Sequence, residues 1–238
     1  GAEQLDTPTG PGGLRFAHGQ WPAQIPVHAP ARSPDVSLSD ALWQSAPTPP
    51  ARPSPITPSG LGGAKALPGE DGLDEETALR LGSGLHLLLE HLPHWPRETW
   101  ERRASALLDN PADTARLLPE AAAVFESPAL EFLFAPGSLA EVEIAGELQG
   151  HPLFGVIDRL VVSDDSVLAV DYKSNRVVPR DVDEVPEGLL RQMGAYLVAL
   201  EQVFPRHRVE MALLWTVDAS LMRLPEHALR AALARAGA

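Results

Sequence analysis

The chain has 238 residues, of which 44% are hydrophobic and 21% charged, as is usual for a globular protein with a hydrophobic core. It has no cysteine, which excludes disulfides, thiolate metal sites and cysteine nucleophiles and fits a reducing cytoplasm, and no apolar run approaches a membrane span of roughly 18 residues. The net charge of −13 argues mildly against a free-standing protein that wraps nucleic acid.

Residues 1–55 form a Pro-rich segment. The run A-P-T-P-P at 46–50 disfavours both helix and central strand. Apolar residues such as Phe16 and Trp21 occur in the segment without helical or strand periodicity. We therefore predict a linker or tail of a preceding region over residues 1–55, followed by one folded domain over residues 56–238.

A glycine-rich stretch at residues 59–65 invites comparison with a phosphate-binding loop. The G-x-x-x-x-G-K-[ST] spacing is absent, and no predicted strand precedes the stretch. The sequence favours a flexible loop here.

Leucines at helical spacing predict a helix over residues 74–92, with Asp74 marking its start. Gly82 and Gly84 each cost this helix about 1 kcal/mol relative to alanine, which indicates close approach of another backbone or a ligand. His86 lies on the next turn. By itself, a lone histidine in an apolar helix is more often structural than functional.

Residues 96–134 are predicted to form two or three further helices, inserted between the first helix and the first strand of the sheet. Pro96, Pro111, Pro119 and Pro128 occur at positions that fit helix starts or ends. Nothing in this helical insertion carries chemistry.

The hydrophobic period changes at residue 139. Alternating acidic and apolar residues predict a strand over 139–148, and two β-branched runs around a polar turn predict a hairpin over 155–176. A helix over 187–204, strands over 209–217 and 221–224 and a helix over 225–235 follow. The order predicts an α/β fold whose mixed sheet is flanked by helices.

The hairpin brings two acids together. If residues 164 and 165 form a two-residue turn, Asp158 lies directly opposite Asp171, at a distance where like charges destabilise a strand pair. Lys173 lies two residues further along and therefore on the same face. Two carboxylates and an ammonium on an apolar hairpin indicate a divalent-cation site with a catalytic lysine, although surface ion pairs on a solvated sheet remain the alternative.

Such a site needs oxygen ligands. Mg²⁺ usually takes one or two protein carboxylates together with water and substrate phosphate, which Asp158 and Asp171 can supply. Glu141 is a third candidate acid, with Glu143 as the alternative because alternation puts both on one face. Lys173 would orient the attacking water or stabilise the phosphorane.

An ordered set of motifs now supports a resemblance. The pattern D-(x)n-D-x-K across adjacent strands resembles that of the PD-(D/E)xK nuclease superfamily. The surrounding sequence looks like the C-terminal nuclease domain of AddA/RecB-type helicase–nucleases. The matching pieces are G-S-G-L-H-L-L-L-E-H-L at 82–92, A-E-V-E-I-A-G at 140–146, G-V-I-D-R-L at 155–160, V-D-Y-K-S-N-R at 170–176, L-L-R-Q-M-G-A-Y at 189–196 and A-L-L-W-T at 212–216.

The resemblance implies a restriction-endonuclease-like fold and specific residue roles. By that resemblance Lys173, Asp171 and Asp158 are catalytic, and Gln192 and Tyr196 form a Q-x-x-x-Y pair that supports the site and contacts DNA, with Asn175 and Arg176 alongside. The implied metal ligands are His86, Asp158, Asp171, the Tyr172 backbone carbonyl and, as a further acid, Glu141.

The resemblance also implies a function. By the resemblance, the chain would be a Mg²⁺-dependent DNA nuclease domain, with Mn²⁺ or Ca²⁺ able to substitute. It would belong to a bacterial cytoplasmic helicase–nuclease that processes double-strand breaks. Single-stranded DNA would be delivered by the ATPase part of the same polypeptide and an AddB-like partner subunit. The alternatives are a catalytically inactive nuclease fold that serves as a scaffold, and a hydrolase of small phosphoesters. Retention of the facing acids argues against the scaffold, and the lack of a phosphate-cradling loop argues against the phosphoesterase.

Overall fold

The structure, a computed structural model, describes residues 2–4, 12, 14–16, 45, 53–65 and 74–236. The chain divides into two compact units after Pro50. In the first unit, β1 (Ala2–Gln4) pairs antiparallel with β2 (Leu14–Phe16), a short ladder that the sequence did not predict. The remainder of the Pro-rich segment up to residue 52 lies almost entirely outside the described residues, so its predicted linker role stays a prediction.

In its described residues, the second unit begins with three α-helices and continues with five strands and two further α-helices. Its elements are α1 (Glu75–His91), α2 (Trp100–Leu107), α3 (Pro111–Glu126), β3 (Leu139–Leu148), β4 (His151–Val162), β5 (Ser166–Lys173), α4 (Glu187–Val203), β6 (Arg208–Trp215), β7 (Ser220–Leu224) and α5 (Glu226–Ala236). In the described part of the chain, no helix combines the length and apolarity needed to cross a membrane. The predicted element order is confirmed.

The five strands form one mixed sheet in the order β3-β4-β5-β6-β7. β6 is parallel to β5, which requires the crossover that α4 provides, and the other neighbouring strands are antiparallel. Two apolar cores flank the sheet. One includes residues of α4 and α5, and the other includes residues of α1 and the helical insertion. The predicted mixed sheet flanked by helices is confirmed.

The hairpin register agrees with the prediction. Val162 pairs with Val167, and pairing continues to Arg159 opposite Val170, one step short of the two aspartates. The Ser163 N–H donates to the Ser166 carbonyl across the polar turn at 2.9 Å. Asp158 and Asp171 are therefore the next positions on two adjacent strands, where the regular ladder ends.

The sheet is irregular where Glu141 and Asp158 meet. The β3–β4 ladder skips these two residues, and Glu141 has a φ of 48°, a left-handed conformation that is rare for a residue with a side chain. Ile157 and Leu160 both face the core under α4 although they are three residues apart. The alternation of faces therefore breaks at Asp158, a break that the period of the sequence does not reveal.

One proline prediction is wrong. Pro111 occupies the first turn of α3 as expected, but Pro119 lies inside α3 instead of at a helix boundary. Pro119 lacks the N–H that an α-helix would use at that position. The buried residues Leu117, Ala121 and Val124 hold the helix across it, because packing of an apolar face outweighs one lost hydrogen bond.

The glycine-rich stretch packs against the start of α4, and its predicted flexibility stays a prediction. The Ala64 carbonyl accepts a hydrogen bond from the N–H of Gly188 at the start of α4, at 2.8 Å. Just before it, the Ile56 N–H donates to the Pro152 carbonyl at 2.9 Å, which covers the part of β4 that extends beyond β5. Residues 53–65 thus connect β4 with the first turn of α4.

Candidate active site

Three potential metal ligands converge from three elements. His86 of α1, Glu141 of β3 and Asp158 of β4 each offer one ligand atom, and these atoms lie within 4.8 Å of one another. His86 Nδ1 is 3.4 Å from Asp158 Oδ1. Glu143, the alternative acid, is exposed and is not part of this group. We refer to His86, Glu141 and Asp158 as the ligand cluster.

The two glycines of α1 meet different neighbours. A Cβ on Gly84 would lie 3.0 Å from Leu117 Cδ1, so α1 packs closely against α3 at this point. Gly82 faces the loop after β5 instead, where an added Cβ would lie 3.5 Å from Ser174 Oγ. Asp74 caps the helix by accepting the Thr77 N–H at 2.8 Å. Gly84 thus gives the helix a close contact on one side, whereas Gly82 has only an ordinary contact on the other.

Asp171 has different partners from the ligand cluster. Its Oδ2 forms an ion pair with Lys173 Nζ, and its Oδ1 accepts a hydrogen bond from Gln192 Nε2 at 2.7 Å. Gln192 projects from α4, so the crossover helix orients this carboxylate. The predicted role of Asp171 as a metal ligand stays a prediction, because its carboxylate engages Lys173 in the structure.

Asp158 connects the two groups of side chains. Its Oδ1 faces His86, and its Oδ2 accepts the backbone N–H of Tyr172 at 2.5 Å. Tyr172 lies between Asp171 and Lys173 on β5. One carboxylate therefore joins α1 to the strand that carries the predicted catalytic lysine.

Burial and neighbouring charges change the pKa values in the site. Burial raises the pKa of Glu141, and the nearby Asp158 carboxylate raises it further. Burial also raises the pKa of Asp171, against the opposing effect of the Lys173 ammonium. For His86, burial lowers the pKa, but the hydrogen bond to Asp158 and the negative charges nearby outweigh it, and the pKa is raised.

Tyr172 and a buried arginine form hydrogen bonds next to the ligand cluster. Arg159 is 2% exposed; its Nε donates to the Tyr172 hydroxyl at 3.0 Å and its Nη2 to the Leu89 carbonyl of α1 at 2.9 Å. Its guanidinium also lies 4.8 Å from the Phe134 ring centroid. Burial raises the pKa of Tyr172 to about 12, so it stays neutral. The sequence patterns did not assign Arg159 to the site, although a charged residue within an apolar strand run is a usable signal.

The Q-x-x-x-Y pair is buried. Tyr196 is 5% exposed and its hydroxyl donates to the Val156 carbonyl at 2.5 Å. Gly155 makes this contact possible, because a Cβ there would lie 2.7 Å from Tyr196 Cε1. Gln192 and Tyr196 thus hold Asp171 and β4, which fits the expected support of the site, whereas their contact with DNA stays a prediction.

A cleft of about 470 Å³ gives access to the ligand cluster. It runs between α1 and the end of β5, with His86, Glu141 and Tyr172 in its wall. Asn175 lines the cleft beyond Lys173, and Arg176 is exposed on the same loop. The predicted Tyr172 carbonyl ligand and the roles of Asn175 and Arg176 stay predictions.

The donor set fits a divalent cation. Two carboxylates and one imidazole suit Mn²⁺ and, with water completing the shell, Mg²⁺. Ligands on opposite sides of such an ion are separated by about 4–5 Å, comparable with the 4.8 Å span of the ligand cluster. The ammonium of Lys173 lies on the neighbouring strand, so the arrangement suits hydrolysis of a charged phosphodiester.

Solved structures with some similarity include a protein from Eubacterium rectale that is provisionally described as an exonuclease. It is 14% identical over 70% of this chain, with a TM-score of 0.45, and this chain spans 65% of its length. The protein SSO0001 is 12% identical, with a TM-score of 0.29, over 68% of this chain and 85% of its own. No curated protein sequence matches the chain.

The family comparison covers most of the folded unit. The profile of the PD-(D/E)XK nuclease superfamily matches residues 61–235, which include all five strands of the mixed sheet and every residue of the ligand cluster. The same range contains Asp171 and Lys173. This chain belongs to the PD-(D/E)XK nuclease superfamily.

Proposed function

We propose that this chain is a metal-dependent deoxyribonuclease domain that hydrolyses DNA phosphodiesters with Mg²⁺. The observation that carries the proposal is the convergence of His86, Glu141 and Asp158 beside a lysine-bound aspartate at one cleft. Membership of a nuclease superfamily supports the reaction class. Isolated buried carboxylates raise the free energy of a fold, so their grouping here favours a cation-binding function over a scaffold.

The residues divide the chemistry between them. His86, Glu141 and Asp158 would hold the cation, with Asp171 as a further ligand. When bound, the cation neutralises charge on the phosphate and lowers the pKa of a coordinated water. Lys173 orients the attacking water or stabilises the negative charge that develops on the phosphoryl oxygens, because an ammonium in a dry site interacts strongly. Gln192 keeps Asp171 oriented.

Lys173→Ala tests the proposal directly. We expect loss of Mg²⁺-dependent cleavage of single-stranded DNA by at least about 100-fold, because transition-state charge stabilisation of this kind is worth roughly 3–4 kcal/mol. The measurement is the release of short products from a labelled oligonucleotide. Circular dichroism and melting curves check that the variant stays folded.

Lys65→Ala is the matched control, since Lys65 donates to the Ser59 carbonyl and does not line the cleft. It should cleave at the wild-type rate. Cleavage by Lys173→Ala at the wild-type rate would contradict the proposed function. A folded wild type that binds Mg²⁺ and DNA without cleaving would support the scaffold alternative.

We further propose that the chain works within an AddA/RecB-type helicase–nuclease during double-strand-break repair. The ordered motifs of the sequence support this, and delivery of DNA by a motor and an AddB-like partner would explain how a domain with a net charge of −13 acts on a polyanion. The coding sequence upstream of residue 1 tests it. An open frame with a Walker A motif and helicase motifs is expected, and a start codon directly before residue 1 would contradict it.

A further inference from the structure

The end of β5 is held by a residue outside the predicted site. Thr216 follows β6, and its N–H donates to the Lys173 carbonyl at 3.0 Å. The Thr216 hydroxyl oxygen lies 3.2 Å from the same carbonyl. Thr216 is 1% exposed, so water does not compete for these contacts. The backbone of Lys173 is therefore fixed where the strand gives way to the loop along the cleft.

The Thr216 hydroxyl has a second and shorter contact. It donates to Glu120 Oε1 at 2.6 Å, across a sequence separation of 96 residues. A hydroxyl has one proton, and the shorter contact to a carboxylate is the stronger of the two. Glu120 thus fixes the side chain of Thr216, while the Thr216 N–H holds Lys173.

Glu120 belongs to α3, in the helical insertion to which the sequence assigned no chemistry. The same helix packs Leu117 against Gly84 of α1, two residues before His86. α3 therefore contacts an element that carries a ligand and is linked through Thr216 to the end of the strand that carries the lysine. A rigid helix with contacts at both places sets their separation.

We propose that Glu120 and Thr216 are positioning residues for Lys173, through which the helical insertion takes part in catalysis. This deepens the nuclease function proposed above and rests on it for the role of Lys173. Loss of the Glu120–Thr216 hydrogen bond lets the end of β5 shift and the ammonium leave its place beside Asp171. Displacement of a catalytic group by about 1 Å can cost roughly 100-fold in rate.

The position of Lys173 can be observed without activity, because the sequence has lysine only at positions 65 and 173. A protein labelled with ¹³C-lysine gives two Cε signals, and Lys173→Arg assigns them. In Thr216→Val, which keeps the branched shape and the backbone N–H, we expect the Lys173 signal to move and the Lys65 signal to stay. Thr216→Ser restores the hydroxyl and should return the Lys173 signal.

Kinetics give the second readout. Thr216→Val and Glu120→Ala should lower kcat for DNA cleavage by about 10- to 100-fold and leave KM within about twofold. In a Lys173→Ala background, Thr216→Val should cause no further loss, because both changes act through one group. The matched control is Glu126→Ala. Glu126 lies on α3 like Glu120, and the substitution removes only an exposed ion pair with Arg97, so neither kcat nor the spectrum should change.

The outcomes separate the two proposals. A Lys173 signal that stays in place in both Thr216→Val and Glu120→Ala overturns the positioning role, whatever happens to activity. Equal kcat losses in Glu126→Ala and Glu120→Ala also overturn it, since a general effect on α3 would then suffice. A wild type without cleavage overturns the proposed nuclease function, and the spectra still decide whether Glu120 and Thr216 position Lys173.

Discussion

Glu141 illustrates that a residue of the ligand cluster can lower the stability of the fold. It has a left-handed backbone conformation, and burial together with the charge of Asp158 raises its pKa. Both effects cost free energy in the folded state. Residues held in such conformations cluster at functional sites, where binding of a ligand compensates the cost.

Glu141→Gln should therefore stabilise the metal-free chain at neutral pH. A carboxyl whose pKa is raised on folding contributes most to stability below its unfolded pKa of about 4, and that contribution is lost as the pH rises through the folded pKa. At pH 7 the ionised form is unfavourable, so its removal should raise the melting temperature. Because Glu141 is partly exposed, the gain in unfolding free energy should be less than about 1 kcal/mol. This corresponds to a rise in melting temperature of less than about 2–4 °C.

Thermal melts of the metal-free protein at pH 7 and pH 4 check this sign. The difference between Glu141→Gln and wild type should shrink at pH 4, where the carboxyl of the wild type is largely protonated. Glu143→Gln, an exposed neighbour two positions along β3, is the control and should change little at either pH. A lower melting temperature of Glu141→Gln at pH 7 contradicts the electrostatic argument.

At the scale of elements, α1 is a helix adapted to close contacts. Its two glycines are two residues apart and meet different surroundings: Gly84 is pressed against Leu117 and Leu108, and Gly82 has an ordinary contact with Ser174. Helix propensity alone treats the two positions alike. Packing distinguishes them, since a Cβ at 3.0 Å from a neighbour requires that neighbour to shift.

Gly82→Ala and Gly84→Ala form a matched pair. Each substitution gains about 0.5–1 kcal/mol of helix propensity, but Gly84→Ala must also displace Leu117 and Leu108. We expect Gly82→Ala to be more stable than wild type and Gly84→Ala to lie at least about 0.5 kcal/mol below Gly82→Ala. Urea denaturation measures both. Equal stabilisation by the two alanines would refute the packing argument.

For the molecule as a whole, the site joins two layers that pack on opposite faces of the sheet. α1 and the helical insertion belong to one core and α4 and α5 to the other. Asp158 contacts His86 of one layer and the backbone of β5, and Asp171 contacts Gln192 of the other layer. A cation bound by His86, Glu141 and Asp158 would therefore stabilise the fold globally.

Divalent cations should raise the melting temperature. At about 100 times the dissociation constant, a ligand that binds only the folded state adds about 2.7 kcal/mol, which corresponds to roughly 5–10 °C for a chain of this size. Asp158→Asn should abolish the shift with Mg²⁺ or Mn²⁺. Asp164→Asn in the exposed turn of the same hairpin should retain it. A shift of equal size in both variants would show that the cations bind elsewhere.

Periodicity, turn residues and motif spacing by themselves determined the element order, the mixed sheet and the hairpin register, because these depend on interactions between residues near in sequence or on adjacent strands. The candidate site residues His86, Asp158 and Lys173 were also named from sequence. Only the tertiary structure decided that Asp171 engages Lys173 and Gln192, that Glu141 rather than Glu143 enters the ligand cluster, and that Glu120 reaches Thr216. Those outcomes depend on a local break in strand alternation and on packing between distant segments, and neither leaves a periodic signal in the sequence.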